Sequence, residues 1–190
     1  MEADFAVELA ASDETLEMPW SAGDGPRYFD LKRQPRLVEQ VEEARRYPEL
    51  AQFLSAINSS LTILETAKCD AWSTTEMKPE EEIRGAAWKF GSYVDLLFSD
   101  NESRLSFERH EQLTRQLVKL LHRVPEIPAA AEFLVRRCFY HSGDEAREGF
   151  YITFYLFGYG SEEDQARRQW AIGLELVENA VRQISAQHRV

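Results

Sequence analysis

The chain has 190 residues, of which 44% are hydrophobic and 12% aromatic, and this balance excludes a wholly disordered protein. No apolar run approaches the roughly 18 to 20 residues of a membrane span, so no membrane association is expected. A net charge of −11 argues against nucleic acid as a partner, because backbone binding needs clustered cations. Residues 1–26 carry no Lys or Arg and seven of the acids: Glu2, Asp4, Glu8, Asp13, Glu14, Glu17 and Asp24.

The N-terminal sequence and the cysteines bear on the compartment. The segment MEADFAVELAASDETLE has acids where a secretory signal needs basic residues. Cys69 and Cys138 are too few and too far apart for a disulfide scaffold. We therefore predict a cytoplasmic protein with two reduced, buried thiols.

Residues 1–35 are predicted to form an acidic, irregular N-terminal arm. Phe5, Val7 and Leu9 alternate with other residues, a short pattern that fits either an edge strand or a disordered tail. The stretch from Pro19 to Pro35 contains glycines, prolines and three aromatic residues. It is expected to lie irregularly against the body of the protein.

Residues 36–124 contain helical and strand patterns. Apolar spacing predicts one helix from Arg36 and a second after Pro48, because the Tyr47-Pro48 step disfavours a continuous helix. The runs LTILETAKCDAWST and WKFGSYVDLLF then predict a β-hairpin joined by the long acidic loop TEMKPEEEIRG. A further helix follows in SFERHEQLTRQLVKLLHR.

Residues 125–190 are predicted to form a second hairpin, from EFLVRRCFYH and GFYITFYLFGYG around a tight SGDE turn, and a long C-terminal helix. The predicted fold is α+β, one domain over 1–190, with an antiparallel sheet from two hairpins and helices packed on it, in the order αα-ββ-α-ββ-α. Two pairs of local likenesses suggest an internal αββ duplication: ARRYPEL with LHRVPEI, and KCDAW with RCFYH.

The second strand of the second hairpin is apolar on both faces. One face carries Phe150, Ile152, Phe154 and Leu156, and the other carries Tyr151, Thr153, Tyr155, Phe157 and Tyr159. An uncovered face of this kind is unusual, so Tyr151, Tyr155, Phe157 and Tyr159 are a candidate interface or ligand face. Three alternatives could cover this face: the arm with Trp20, Tyr28 and Phe29, a second copy of the chain, or a small molecule.

The first hairpin predicts a polar cluster. Lys89, Tyr93 and Asp95 share the strand face opposite an apolar row that runs from Trp88 to Phe98. Glu65 and Cys69 have the matching parity on the preceding strand, and Glu65 with Asp95 could form an acid/base pair. The alternative is a solvated sheet face, with Arg136 and Arg137 neutralising the acids.

No spacing of His, Cys, Asp or Glu typical of a metal site occurs, so no metal, cofactor or catalytic residue is assigned. The element order resembles that of acidic secretion-chaperone folds, which implies a dimer that binds other proteins. The first hypothesis is a non-enzymatic interaction module that binds a protein partner or itself. The alternatives are a small-molecule-binding protein or enzyme using the tyrosine face, and an acidic inhibitor or nucleic-acid mimic.

Overall fold

The computed structural model describes residues 1–10, 15–21, 27–77 and 85–188. The predicted acidic loop around Lys78 to Glu82 and the glycines of the arm lie outside these residues. The strands are β1 (Glu2–Glu8), β2 (Leu16–Met18), β3 (Leu64–Thr74), β4 (Trp88–Phe98), β5 (Ala129–Ser142) and β6 (Glu145–Gly160). The helices are a 3₁₀-helix (Pro35–Gln40), α1 (Glu42–Arg46), α2 (Pro48–Ile57), α3 (Asn101–Arg104), α4 (Phe107–Leu121) and α5 (Glu163–Gln187).

The strands form one six-stranded sheet in the order β1-β5-β6-β4-β3, with β2 paired to β5 beyond the end of β1. The β3–β4, β4–β6 and β5–β6 pairs are antiparallel, so the predicted α+β class and mostly antiparallel sheet are confirmed. The prediction of a purely antiparallel sheet is wrong, because β1 and β2 both run parallel to β5. The predicted element order also omits β1, β2 and α3.

The start of the arm, residues 2–8, is therefore a strand, where the prediction left an edge strand or a disordered tail open. Its alternation produces the edge strand β1, in which Glu2 pairs with Ala130 and Glu8 with Arg136. Alternation identifies a strand from local sequence, but it carries no information about a partner more than a hundred residues away or about its direction. The internal duplication stays a prediction.

One face of the sheet, here called the helical face, carries the main core. Its β6 residues Ile152, Phe154 and Leu156 are fully buried with residues of α1, α2, α4 and α5. Trp170 of α5 packs against the Phe90 ring at 4.6 Å between centroids and donates a 2.8 Å hydrogen bond from Nε1 to Ser92 Oγ. This hydrogen bond satisfies the indole N–H inside the core.

The helices before β3 follow the predicted break. The helix that was expected from Arg36 divides into the 3₁₀-helix and α1, and α2 begins at Pro48. Pro48 fits the first position of a helix because that residue needs no N–H acceptor. Among the described residues, no helix combines the length and the hydropathy needed to cross a membrane.

Candidate functional site

The opposite face of the sheet, here called the second face, carries both sets of predicted site residues. At one end, Leu16 and Met18 of β2 form a buried cluster with Leu97, Cys138 and Tyr151. The next part of the arm adds two partly buried rings to this cluster, Trp20 and Tyr28. The arm therefore covers Tyr151, as the intramolecular alternative predicts, whereas Phe29 packs against the core of the helical face.

A buried ion pair joins the arm to the end of the sheet. Glu65 of β3 accepts a hydrogen bond from Arg104 Nη2 at 2.5 Å and another from the Tyr28 hydroxyl at 3.3 Å. Arg104 also donates from Nε to the Phe98 carbonyl at 2.7 Å and lies over the Tyr140 ring. Burial raises the pKa of Glu65, and Arg104 opposes that shift. Because its partners are held by the arm and by α3, Glu65 is a structural carboxylate.

A lysine ammonium holds the arm from its other side. Lys32 Nζ donates to the carbonyl oxygens of Ser59, Thr62 and Leu64 at 3.0, 2.8 and 2.6 Å. These carbonyls belong to the connection from α2 into β3. Charge-assisted hydrogen bonds are stronger than neutral ones, so Lys32 fixes the position at which the arm leaves the second face.

The middle of the second face carries a row of aromatic and acidic residues. Tyr93 of β4 lies directly opposite Tyr155 of β6, with ring centroids 6.0 Å apart. On one side Tyr155 pairs with Glu132, which in turn pairs with Asp4, and on the other side Tyr93 pairs with Asp70. Directly paired residues share a face of the sheet. The row therefore places two tyrosines between three exposed carboxylates.

The adjacent row is formed by Trp72 and Phe157 on either side of Gly91. Gly91 pairs with both residues, and their rings meet edge to face at 6.4 Å above it. A Cβ at position 91 would lie 2.9 Å from the Trp72 ring and 3.1 Å from the Phe157 ring. Only glycine leaves room for this contact. The ammonium group of Lys89 lies 5.3 Å from the centre of the Phe157 ring.

These two rows define one surface, here called the aromatic patch: Trp72, Tyr93, Tyr155 and Phe157. All four residues are partly exposed, and Tyr155 and Phe157 stack with ring planes 9° apart. Tyr159 differs from them because it is buried at the end of the sheet. There it borders a cavity of about 640 Å³ lined also by Ile127, Pro128 and Gln165.

Between the aromatic patch and the covered end lies a buried carboxylate. Asp95 is 5% exposed and accepts a 2.8 Å hydrogen bond from Thr153 Oγ1. Arg136 reaches the same hydroxyl at 3.4 Å while binding Glu8 Oε2 through Nε and Nη2. Burial raises the pKa of Asp95 to about 6, against the effects of Thr153, Lys68 and Arg136. Asp95 is thus a carboxylate that changes its charge near neutral pH.

The predicted polar cluster is only partly assembled. Glu65, Lys89, Tyr93 and Asp95 do share the second face, but Cys69 lies opposite Val94 and packs against the core of the helical face. A β-bulge between Thr66 and Cys69 reverses the parity of the strand, which is why the expected placement of Cys69 beside Glu65 is wrong.

The expected acid/base pair is also divided between two environments. Glu65 binds Arg104 and Tyr28, whereas Asp95 binds Thr153. Arg136 reaches the vicinity of Asp95 as predicted. Arg137 points elsewhere and pairs with Glu148 at 3.7 Å.

The sequence analysis missed three features of the candidate site: Trp72, Gly91 and the carboxylates beside the tyrosines. Trp72 was read only as part of a strand, because its face depends on the bulge that precedes it. Gly91 was not singled out, although a glycine inside a strand is a known sign of a close approach by other groups. The exposed carboxylate of Glu132 joins the site through the pairing of β5 with β6, and that of Asp4 through the parallel pairing of β1 with β5.

The described residues include no group of three or more His, Cys, Asp or Glu that could hold a metal ion. Burial raises the pKa of the Cys69 thiol, and that of Cys138, to about 12. Both cysteines are therefore protonated at neutral pH and unsuited to nucleophilic catalysis. Comparison with models of protein families, with curated proteins and with solved structures found no match to this chain.

Proposed function

We propose that this chain is a non-enzymatic protein-interaction module whose aromatic patch binds a basic segment of a protein partner. The observation that carries the proposal is the continuous row of exposed carboxylates and tyrosines, Asp4, Glu132, Tyr155, Tyr93 and Asp70. This row joins surfaces for apolar contact and for cation recognition in one place.

The aromatic side chains support a binding role. Tyr and Trp are enriched at protein interfaces because their large rings bury apolar area while their polar atoms tolerate water. Trp72, Tyr93, Tyr155 and Phe157 contact one another and are partly exposed. Rings that are held by their neighbours lose little conformational entropy when a partner binds.

The charges around the patch support a basic partner. Glu2, Asp4 and Glu132 are exposed on the β1 and β5 side, and Asp70 is exposed on the β3 side. Arg and Lys side chains pair with carboxylates and also stack on aromatic rings. A segment with alternating basic and apolar residues would satisfy both surfaces, and the net charge of −11 would speed its encounter with the protein.

The proposal is tested by selecting short random peptides displayed on phage against the wild-type protein. The same library is counter-selected against a variant with Tyr155→Ser and Phe157→Ser. We expect the enriched peptides to combine Arg or Lys with apolar residues and to lose at least about tenfold in affinity for the double variant. Raising the salt concentration should weaken binding further, because the charged groups are exposed.

Leu61→Ser is the matched control, since Leu61 is 53% exposed in the connection from α2 to β3, away from the patch. Its affinity for the selected peptides should equal that of the wild type, and thermal melts should show that all variants are folded. Enrichment of acidic peptides, or equal binding by the double variant, would refute the proposal. If the wild type dimerises through the patch and selects no peptide, the occupant is a second copy of the chain instead.

A further inference from the structure

A second cavity lies on the outer side of β3, where the arm, α1 and the β-bulge meet. Its volume is about 750 Å³, within the range of small-ligand sites. The buried side chains of Leu31 and Leu54 contribute apolar surface, and Val41 adds to it. Three aromatic residues complete this part of the lining: Trp20, Phe29 and Tyr93.

The bulge shapes this cavity. Ala67 and Lys68 both stand opposite Asp95 of β4, so β3 carries one extra residue at this point. Such an insertion bends the strand and redirects its side chains. The Lys68 side chain extends toward the arm, and its ammonium lies 5.2 Å from the centre of the Trp20 ring. The wall beside Cys69 therefore contains both Lys68 and, from α1, Glu43.

Glu43 is the notable charge in this wall. It is half-buried, and within the described residues its carboxylate has no hydrogen-bond or ion-pair partner. Its charge reaches the Cys69 thiol, whose pKa is raised by burial first and next by Glu43 and Asp70. The other cations of the lining, Arg27 and Arg45, are exposed at the rim. The Lys68 ammonium lies over the Trp20 ring, whereas the Glu43 carboxylate is left as the half-buried charge that a ligand can pair with.

We propose that this cavity binds an organic cation, an alkylammonium or guanidinium group on an apolar stem, with Glu43 as its counter-ion. Leu31, Leu54 and Val41 would contact the stem, and the Trp20 and Tyr93 rings would contact the cationic head. The cation could be a free small molecule or an Arg or Lys side chain of a protein. The inference goes beyond the proposed function, because it needs neither Tyr155 nor Phe157.

The direct test is a titration of the protein with n-butylguanidinium and n-butylammonium, followed by amide chemical shifts. The neutral isostere n-butylurea is the matched ligand. We expect saturable shifts at residues 41–43 and 67–70 with the two cations, and at least about fivefold weaker binding of the urea. Equal binding of the urea and the cations would overturn the proposal, as would shifts confined to other parts of the chain.

Two substitutions with opposite expected effects sharpen the test. Glu43→Gln keeps the shape of the side chain and removes its charge. It should therefore weaken binding of the two cations by about fivefold or more and leave the affinity for n-butylurea unchanged. Glu39→Gln is the control, because Glu39 is exposed on the preceding 3₁₀-helix outside the cavity. Lys68→Met removes the competing cation of the wall and should tighten binding of the cations severalfold.

Unchanged affinity in Glu43→Gln would refute the role of Glu43, and weaker cation binding in a folded Lys68→Met variant would refute the electrostatic basis. The source of the cation is distinguished by comparing short peptides that contain one Arg with the same peptides containing citrulline. The cavity can be tested separately from the proposed function. The variant with Tyr155→Ser and Phe157→Ser should lose its affinity for the selected peptides and still bind n-butylguanidinium. Loss of both would show that the cavity is not an independent site.

Discussion

Thr153 on β6 donates a 2.8 Å hydrogen bond from Oγ1 to Oδ1 of Asp95 on β4, and this bond is the main support of a carboxylate buried in the second face. Burial raises the pKa of Asp95 from 3.8 to about 6. Between these values the folded protein binds more protons than the unfolded chain. The contribution of Asp95 therefore makes the fold more stable as the pH falls through 6, and less stable as the pH rises.

Asp95→Asn should consequently stabilise the protein at about pH 8 by up to about 3 kcal/mol, because the variant avoids a buried charge and its amide oxygen can still accept from Thr153. The advantage should shrink toward zero near pH 4, where Asp95 is neutral. Urea unfolding of both proteins across this range measures the difference. Taking the difference cancels the shared titrations of Glu65, whose pKa is raised by burial, and His110, whose pKa is lowered by burial.

Asp70→Asn is the control for this prediction, since Asp70 is exposed on the neighbouring strand. Its stability difference from the wild type should stay within about 0.5 kcal/mol over the same pH range. A pH-independent difference between Asp95→Asn and the wild type would show that Asp95 does not titrate near neutral pH.

The ion pair of Arg104 with Glu65 should be strongly cooperative. Arg104→Met leaves Glu65 buried without its cation, so we expect a loss of about 3 to 5 kcal/mol in the free energy of unfolding. Adding Glu65→Gln removes the unpaired charge and should recover a substantial part of that loss. Equilibrium denaturation of the two single variants and the double variant gives the coupling energy, and additive losses would contradict a direct ion pair.

Local patterns predicted the elements better than their contacts. The apolar row from Trp88 to Phe98 does face the core, because period-two alternation follows directly from the pleat of a strand. The same rule misplaced Cys69, since a bulge inserts one residue without a distinctive local sequence. The helix break at Pro48 was predictable because it depends only on proline stereochemistry.

Partners that are distant along the chain were not predictable from patterns. Arg104 was placed in no site, yet it binds Glu65 across 39 residues and forms part of the cover over the second face. β2 has only three residues, too few for alternation to stand out, and its strand conformation comes from pairing with β5. The candidate site depends on these long-range contacts, which is why Tyr93, Tyr155 and Phe157 could be named in advance and the carboxylates beside them could not.

Lys32 should control how firmly the arm is held. Lys32→Met removes the ammonium that binds the carbonyl oxygens of Ser59, Thr62 and Leu64, and leaving these acceptors without their cation should cost about 2 kcal/mol. Faster amide hydrogen exchange at residues 27–31 is the expected readout. Arg33→Met is the neighbouring control, because the Arg33 side chain is 87% exposed. Equal exchange rates in the two variants would mean that Lys32 does not hold the arm.

Gly158 should be the least replaceable position of β6. A Cβ there would lie 2.3 Å from the Ala166 carbonyl oxygen and 2.3 Å from the Trp170 amide nitrogen, and backbone atoms of α5 cannot move aside as a flexible side chain can. Gly158→Ala should therefore push α5 from the sheet and lower the free energy of unfolding in urea by about 3 kcal/mol or more.

Gly143 is the control position. Its φ of +62° lies in a hairpin turn with open space around it, and asparagine tolerates this conformation. Gly143→Asn should cost less than about 1 kcal/mol, and a similar small cost for Gly158→Ala would mean that α5 does not pack this closely on β6.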